Sequence, residues 1–137
     1  MSVPPEILHQ VCQWVEKAEH DLTAAEHMLT LLKDCPFDAV CFHAQQCAEK
    51  YLKGFLISRS IDFPKTHDLV ILLNLAGGTT VLGVDLLSVE PLNRYPVEAR
   101  YPGDWEPITR EESEEAVKLA RKIREAVRKH LPDAALK

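Results

Sequence analysis

The sequence predicts an all-α fold, an up-and-down bundle of four to five helices. Three observations predict it. Apolar residues recur at alternating steps of three and four along two long segments in the first half and one near the C-terminus, the spacing that puts them on one face of an α-helix. No stretch shows the strict alternation of a half-buried strand. Pro36, Pro64, Gly77-Gly78 and the prolines before Thr109 fall between the periodic segments, where helices stop. A chain of 137 residues fits a single domain, on a prior of roughly 100 to 200 residues per domain. The expected division is a core over about residues 5–131 and a tail over 132–137.

The first helix is expected to follow Pro5. Leu8, Val11, Val15, Ala18, Leu22, Ala25, Leu29 and Leu32 share one arc, and Asp34 and Pro36 end it. A second helix is expected from about Phe37 to Ser60. Val40, Ala44, Cys47, Ala48, Tyr51, Leu52 and Phe55 make its apolar face broad enough to meet more than one neighbour. Opposite lie His43, Gln46, Glu49, Lys50 and Lys53, with Glu49 and Lys53 spaced and ordered for an ion pair. Pro64 breaks the chain. Thr66 is placed to cap a short third helix through Leu75 with Asp68 in its first turn, and Gly77-Gly78 closes it. A weaker helical stretch, about Val84 to Asn93, contains Pro91. Tyr95 to Ile108 carries three prolines and a glycine and reads as a loop rich in Arg, Tyr and Trp. Thr109-Arg-Glu-Glu112 is a capping box. It opens a last helix that buries Ala116, Leu119, Ala120, Ile123, Ala126, Val127 and Leu131, and the tail after Pro132 is expected to fray.

The formal net charge of −5 repels polyanions on average, so a nucleic-acid contact requires a local basic patch. Cys12, Cys35, Cys41 and Cys47 form no Cys-x-x-Cys pair. Nothing at the N-terminus reads as a signal peptide, and no apolar run approaches the roughly 20 residues that span a bilayer. These features point to reduced thiols, a cytoplasmic location and no membrane contact. No metal or cofactor is expected: the six histidines lack zinc-type spacing, Gly77-Gly78-Thr79-Thr80 lacks a P-loop lysine, and there is no Gly-x-Ser-x-Gly elbow.

Four clusters can carry function, each with a plainer alternative. Asp21 sits at the margin of the first apolar arc, where a carboxylate needs a donor. It either pairs with Arg94 or Arg100 from the loop or leans into water. Lys65, Thr66, His67 and Asp68 gather a cation and an imidazole at a helix start, where a phosphate can dock. The same residues also serve as an ordinary cap. Arg94, Tyr95, Arg100, Tyr101 and Trp105 combine guanidinium groups with aromatic faces, suited to a nucleotide, to a protein partner or to pinning the loop on the core. His43, Gln46, Lys50 and Lys53 either line a groove or form a solvated face.

Three segments, Phe42–Gly54 (FHAQQCAEKYLKG), Phe63–Leu69 (FPKTHDL) and Ala99–Trp105 (ARYPGDW), resemble HEPN-domain proteins, small helical modules of prokaryotic toxin–antitoxin and nucleotide-handling systems. The resemblance implies a helical bundle, a homodimer, and a minimal nucleotidyltransferase as protein partner. It also implies a nucleotide or phosphate site, which carries over to Lys53, Lys65, His67, Arg94, Arg100 and Tyr101. HEPN ribonucleases carry an arginine followed four to six residues later by a histidine and cleave RNA without metal. Here Arg59 and His67 are too far apart and separated by Pro64. Arg124 and His130 meet the bare spacing at the end of the last helix, with His130 in the apolar arc. The expectation is therefore a binding module with no catalytic residue assigned. The alternative is a metal-independent endoribonuclease toxin using Arg124 and His130, or His67 and Arg100, with RNA as its substrate.

Overall fold

A computed structural model describes residues 3–93, Tyr95 and 107–136. Helix α1 spans Pro5–Leu29, with proline in its first turn, where no backbone donor is missed. Its buried line of Val11, Val15, Ala18, Leu22 and Ala25 follows the apolar arc and includes Asp21. The helix ends three residues before Leu32, because Thr30 turns the backbone onto the carbonyls of His27 and Met28. Leu32, expected on the buried stripe, is instead 99% exposed.

Helix α2 spans Phe37–Ser58 and is the centre of the molecule. Tyr51, Leu52, Phe55 and Leu56 are fully enclosed, and Glu49 and Lys53 on the expected polar side are buried too, as is Gln45. The chain leaves it through Ser60 in a left-handed conformation at φ 55°. Helix α3, Leu69–Leu75, is capped by Asp68, not by Thr66. The Asp68 carboxylate accepts from the backbone N–H of Val70 and Ile71, and the Thr66 hydroxyl accepts from Asp68 N–H at 3.0 Å. Gly77, at φ 92°, ends that helix, and α4, Gly78–Val81, follows at once. The weak stretch before Asn93 resolves into a 3-10 turn, Leu86–Val89, and helix α5, Glu90–Asn93, with Pro91 tolerated in the first turn. Helix α6 spans Arg110–Arg128. The Thr109 hydroxyl accepts from Glu112 N–H at 3.1 Å, as the capping box predicts.

Cross-helix contacts set the topology. Glu19 and Asp21 of α1 meet Tyr51 and Lys50 of α2, so the two run antiparallel. Glu19 and Glu26 meet Arg124 and Arg121, so α6 is antiparallel to α1 and parallel to α2. The short helices carry the chain back between them. Asn93 bonds both the Leu69 N–H (2.7 Å) and the Asp68 carboxylate (2.9 Å), so the end of α5 is tied to the start of α3. The tail does not fray as expected: residues Asp133–Leu136 form a 3-10 turn, Ala135 is buried, and the Cys12 thiol meets the Ala134 carbonyl at 3.6 Å.

Candidate functional site

The side of α2 that the sequence leaves polar is a layered ion network. Glu49, 3% exposed, is its centre. Its carboxylate accepts from Lys53 Nζ at 3.0 Å, from Gln45 Nε2 at 3.2 Å and from His67 Nδ1 at 3.0 Å to each oxygen. Gln45 also donates to the His67 carbonyl at 3.0 Å, fixing the backbone that carries the imidazole. Gln46 donates to the Gln45 side-chain oxygen at 2.7 Å. A buried carboxylate held by several donors is the form in which such a charge is tolerated.

One turn away the pattern repeats. Asp21, from α1, accepts from Lys50 Nζ at 2.5 Å and from His43 Nδ1 at 2.8 Å. These are its partners among the described residues. The arginines expected to pair with it, Arg94 and Arg100, lie outside the described residues, as do Tyr101 and Trp105.

This arrangement fixes what each group can offer a ligand. Lys53 is buried, bonded to Glu49 and placed 5.8 and 5.9 Å from the ring centres of Trp14 and Phe63. It stabilises the network and is not an open cation. A carboxylate oxygen only accepts, so the proton between Glu49 and His67 sits on Nδ1, and Nε2 is left for other partners. The His67 side chain is 57% exposed. Lys65, two residues earlier, is exposed. With Nδ1 donating to Glu49, Nε2 of the neutral ring accepts and only the imidazolium donates from it to a phosphate oxygen, whereas the Lys65 ammonium donates to one directly. Among the described residues no three His, Cys, Asp or Glu side chains are grouped to hold a metal ion, and no helix is long and apolar enough to cross a membrane.

Arg124 and His130 have different work. Arg124 makes a two-pronged bond to Glu19, 2.8 Å from Nε and 3.0 Å from a terminal nitrogen, clamping α6 to α1. The same carboxylate accepts from the buried Tyr51 hydroxyl at 2.6 Å, and Arg128 donates to that hydroxyl at 3.2 Å. Burial pushes the Glu19 carboxyl up, but the bonds from Arg124 and Tyr51 outweigh it and hold the group below the usual carboxylate value. Burial likewise pushes the Cys41 thiol up to about 11. His130 packs edge-on against Phe55, with ring centres 6.1 Å apart.

A HEPN domain family model matches residues 11–130. The chain belongs to the HEPN family. This HEPN protein is 32% identical to TT1696 from Thermus thermophilus, whose crystal structure superposes with a TM-score of 0.72 over 89% of this chain and 98% of that one. The archaeal HEPN homologue ST0689 is 25% identical, with a TM-score of 0.70 over 88% of this chain and 96% of its own. Among curated proteins, one of Methanocaldococcus jannaschii that bears the name Putative toxin MJ1304 is 27% identical over 135 residues, 88% of this chain and 87% of that protein.

The two HEPN-like segments within the described residues, Phe42–Gly54 and Phe63–Leu69, are the ones that build the Glu49 network. Sequence reasoning singled out His67, Lys53 and Lys65 as site residues and set His43 and Lys50 on a stripe that either lines a groove or is solvated, but it did not pick out Glu49 or Gln45 as site residues. The available signal was the width of the apolar face of α2. Seven apolar positions within sixteen residues leave too little circumference for Gln45, Glu49 and Lys53 to avoid a neighbour.

Proposed function

We propose that this HEPN protein is a binding module. It takes a phosphate-bearing ligand, a nucleotide in the first instance, where the start of α3 meets the polar side of α2, and works beside a minimal nucleotidyltransferase partner. The observation that carries this reading is the His67 imidazole, anchored through Nδ1 to the buried Glu49 with an exposed lysine two residues away. Lys65 and His67 are the direct contacts in this reading, and Lys53 and Glu49 hold them in place. Arg94, Arg100 and Tyr101 are the positions from which further guanidinium and ring contacts come. Calorimetric titration with ATP and AMP tests it. His67→Ala and Lys65→Ala are expected to weaken binding at least about tenfold, the loss of one charge-assisted bond each. Unchanged binding in both variants overturns the site. Co-purification with a co-expressed nucleotidyltransferase tests the partner, and its failure to associate removes that part.

The likeness to a protein named as a toxin supports a second reading, a metal-independent endoribonuclease. Growth arrest on induction and RNA cleavage by the pure protein are its signature. The attachment of Arg124 to Glu19 argues for a structural arginine, so an Arg124→Ala variant that keeps its fold and loses cleavage is the result that favours this second reading.

A further inference from the structure

A second anchored imidazole stands on the polar side of α2. His43 donates from Nδ1 to Asp21 at 2.8 Å, and the Phe42 ring stands edge-on to it with ring centres 5.2 Å apart. The imidazole is thereby fixed in orientation, and its Nε2 makes no bond among the described residues. The side chain is 31% exposed, and among the described residues no side-chain nitrogen or oxygen is both enclosed and unbonded, so Nε2 opens to solvent. With the proton on Nδ1, that nitrogen is an acceptor in the neutral ring. Gln46 supplies a second acceptor. Its amide nitrogen donates to the Gln45 oxygen at 2.7 Å, which leaves the Gln46 oxygen unbonded among the described residues. Three residues apart, the two acceptors lie about 60° apart around the helix and about 4.5 Å apart along it. Lys50 follows His43 by two turns within about 20° of the same line. Its ammonium is held by one oxygen of Asp21 and the other oxygen holds His43, so this carboxylate is fully engaged.

These donors and acceptors select the chemistry that fits beside them. A cationic ligand is repelled by Lys50 and by the exposed Lys65, and Asp21 has no oxygen left to offset that. An ionised phosphate only accepts, so it is turned away by two acceptors at His43 and Gln46. Neighbouring hydroxyls match, since each donates to an acceptor and still accepts from the Lys50 ammonium. Glu49, where His67 is anchored, lies six residues from His43, about 9 Å along α2, a span that a nucleoside triphosphate bridges. We propose that this strip reads the sugar of the ligand and that the ligand is a ribonucleotide. Its two ribose hydroxyls donate to His43 Nε2 and Gln46 Oε1, while its phosphates lie toward Lys65 and His67. The proposal rests on the nucleotide reading of the α3 site and adds to it the end of the molecule that faces α1. A site built to hydrogen-bond a hydroxyl rejects the analogue lacking it, because the site's own acceptor is then left unpaired.

Calorimetric titration of the full chain with ATP and with its dideoxy analogue, which lacks both ribose hydroxyls, tests the proposal at about pH 8, above the ordinary imidazole pKa of about 6.5. Wild type is expected to bind ATP at least about tenfold more tightly than the analogue. In His43→Ala that ratio is expected to shrink by about fivefold or more. His43→Gln, whose amide can donate to Asp21 and present an oxygen outward, is expected to keep more of it. His67→Ala weakens both ligands together and preserves their ratio. Melting curves check that each variant folds, and Gln46→Ala carries the same expectation as His43→Ala if the latter unfolds. Equal binding of ATP and the analogue by wild type, or a ratio undiminished in the folded His43→Ala or Gln46→Ala variant, overturns the sugar assignment while the phosphate site stands. Failure of wild type to bind either ligand overturns both.

Discussion

Removing the carboxylate at position 49 strands a lysine. The side chains of Glu49 and Lys53 are 4% and 10% exposed, with 3.0 Å between their charged atoms. Breaking a buried pair by deleting one partner costs about 3–5 kcal/mol, mainly because the remaining charge stays desolvated. Lys53 keeps its two ring neighbours, Trp14 and Phe63, and cation–π contacts of this kind contribute about 0.5–2 kcal/mol. The lower end of the range therefore applies, about 3 kcal/mol for Glu49→Leu, or a fall of roughly 12 °C in Tm for a domain of this size. Lys53→Met is milder, about 1–2 kcal/mol, since Glu49 retains Gln45 and His67 as donors. The double variant leaves no stranded ammonium, so the two losses should not add, and it is expected to be more stable than Glu49→Leu alone. Urea unfolding at neutral pH, followed by far-UV circular dichroism, supplies all four corners of the cycle. Strict additivity, or a Glu49→Leu loss below about 1 kcal/mol, refutes the argument that the network is a buried, interdependent unit.

The remaining predictions concern the joints around that unit. Glu19 has a folded-state pKa held below its ordinary 4.5, so its contribution is present above that value and lost as pH falls through the lower one. The Tm gap between wild type and Glu19→Gln is thus expected to narrow between about pH 5 and pH 3, and a constant gap contradicts the assignment. Asp68→Ala removes the cap of α3 and the partner of the Asn93 amide. A loss of about 1–2 kcal/mol is expected, with most of it recovered by Asp68→Asn, which keeps an acceptor. Equal losses in both variants point away from capping. Gly54→Ala places a methyl 3.1 Å from Trp14 Cβ, an atom that moves only with α1. Overpacking of about 1–3 kcal/mol outweighs the gain of about 1 kcal/mol in helix propensity, and a variant that melts higher than wild type shows that the two helices can part freely.

The long helices were legible because each has one uninterrupted period: the arc of α1 as far as Leu29, the arc of α6 and the Thr109 cap on the Glu112 N–H appear in the structure as the residues predict. Legibility failed where tertiary partners decide. Leu32 continues the α1 period, but a helix bond at Thr30 stops the helix first. Thr66 and Asp68 are both good caps, and the choice between them depends on Asn93, twenty-five residues away. The polar side of α2 looked like a solvated face because helical period reports chemistry by angle and is blind to what packs alongside. Asp21 was recognised as needing a donor, and its donors came from the neighbouring helix.

The knot at Asp68 and Asn93 has a consequence for how this chain tolerates change. Both ends of the excursion from Leu69 to Asn93 are fastened at one point, so lengthening or shortening its outer turns, around Thr79 to Asp85, is absorbed within the excursion. His67 precedes that fastening by one residue. Whatever shifts Asn93 is therefore conveyed to the imidazole through a single peptide, which makes an amide on the far side of the excursion the tiller by which the proposed anion contact is steered.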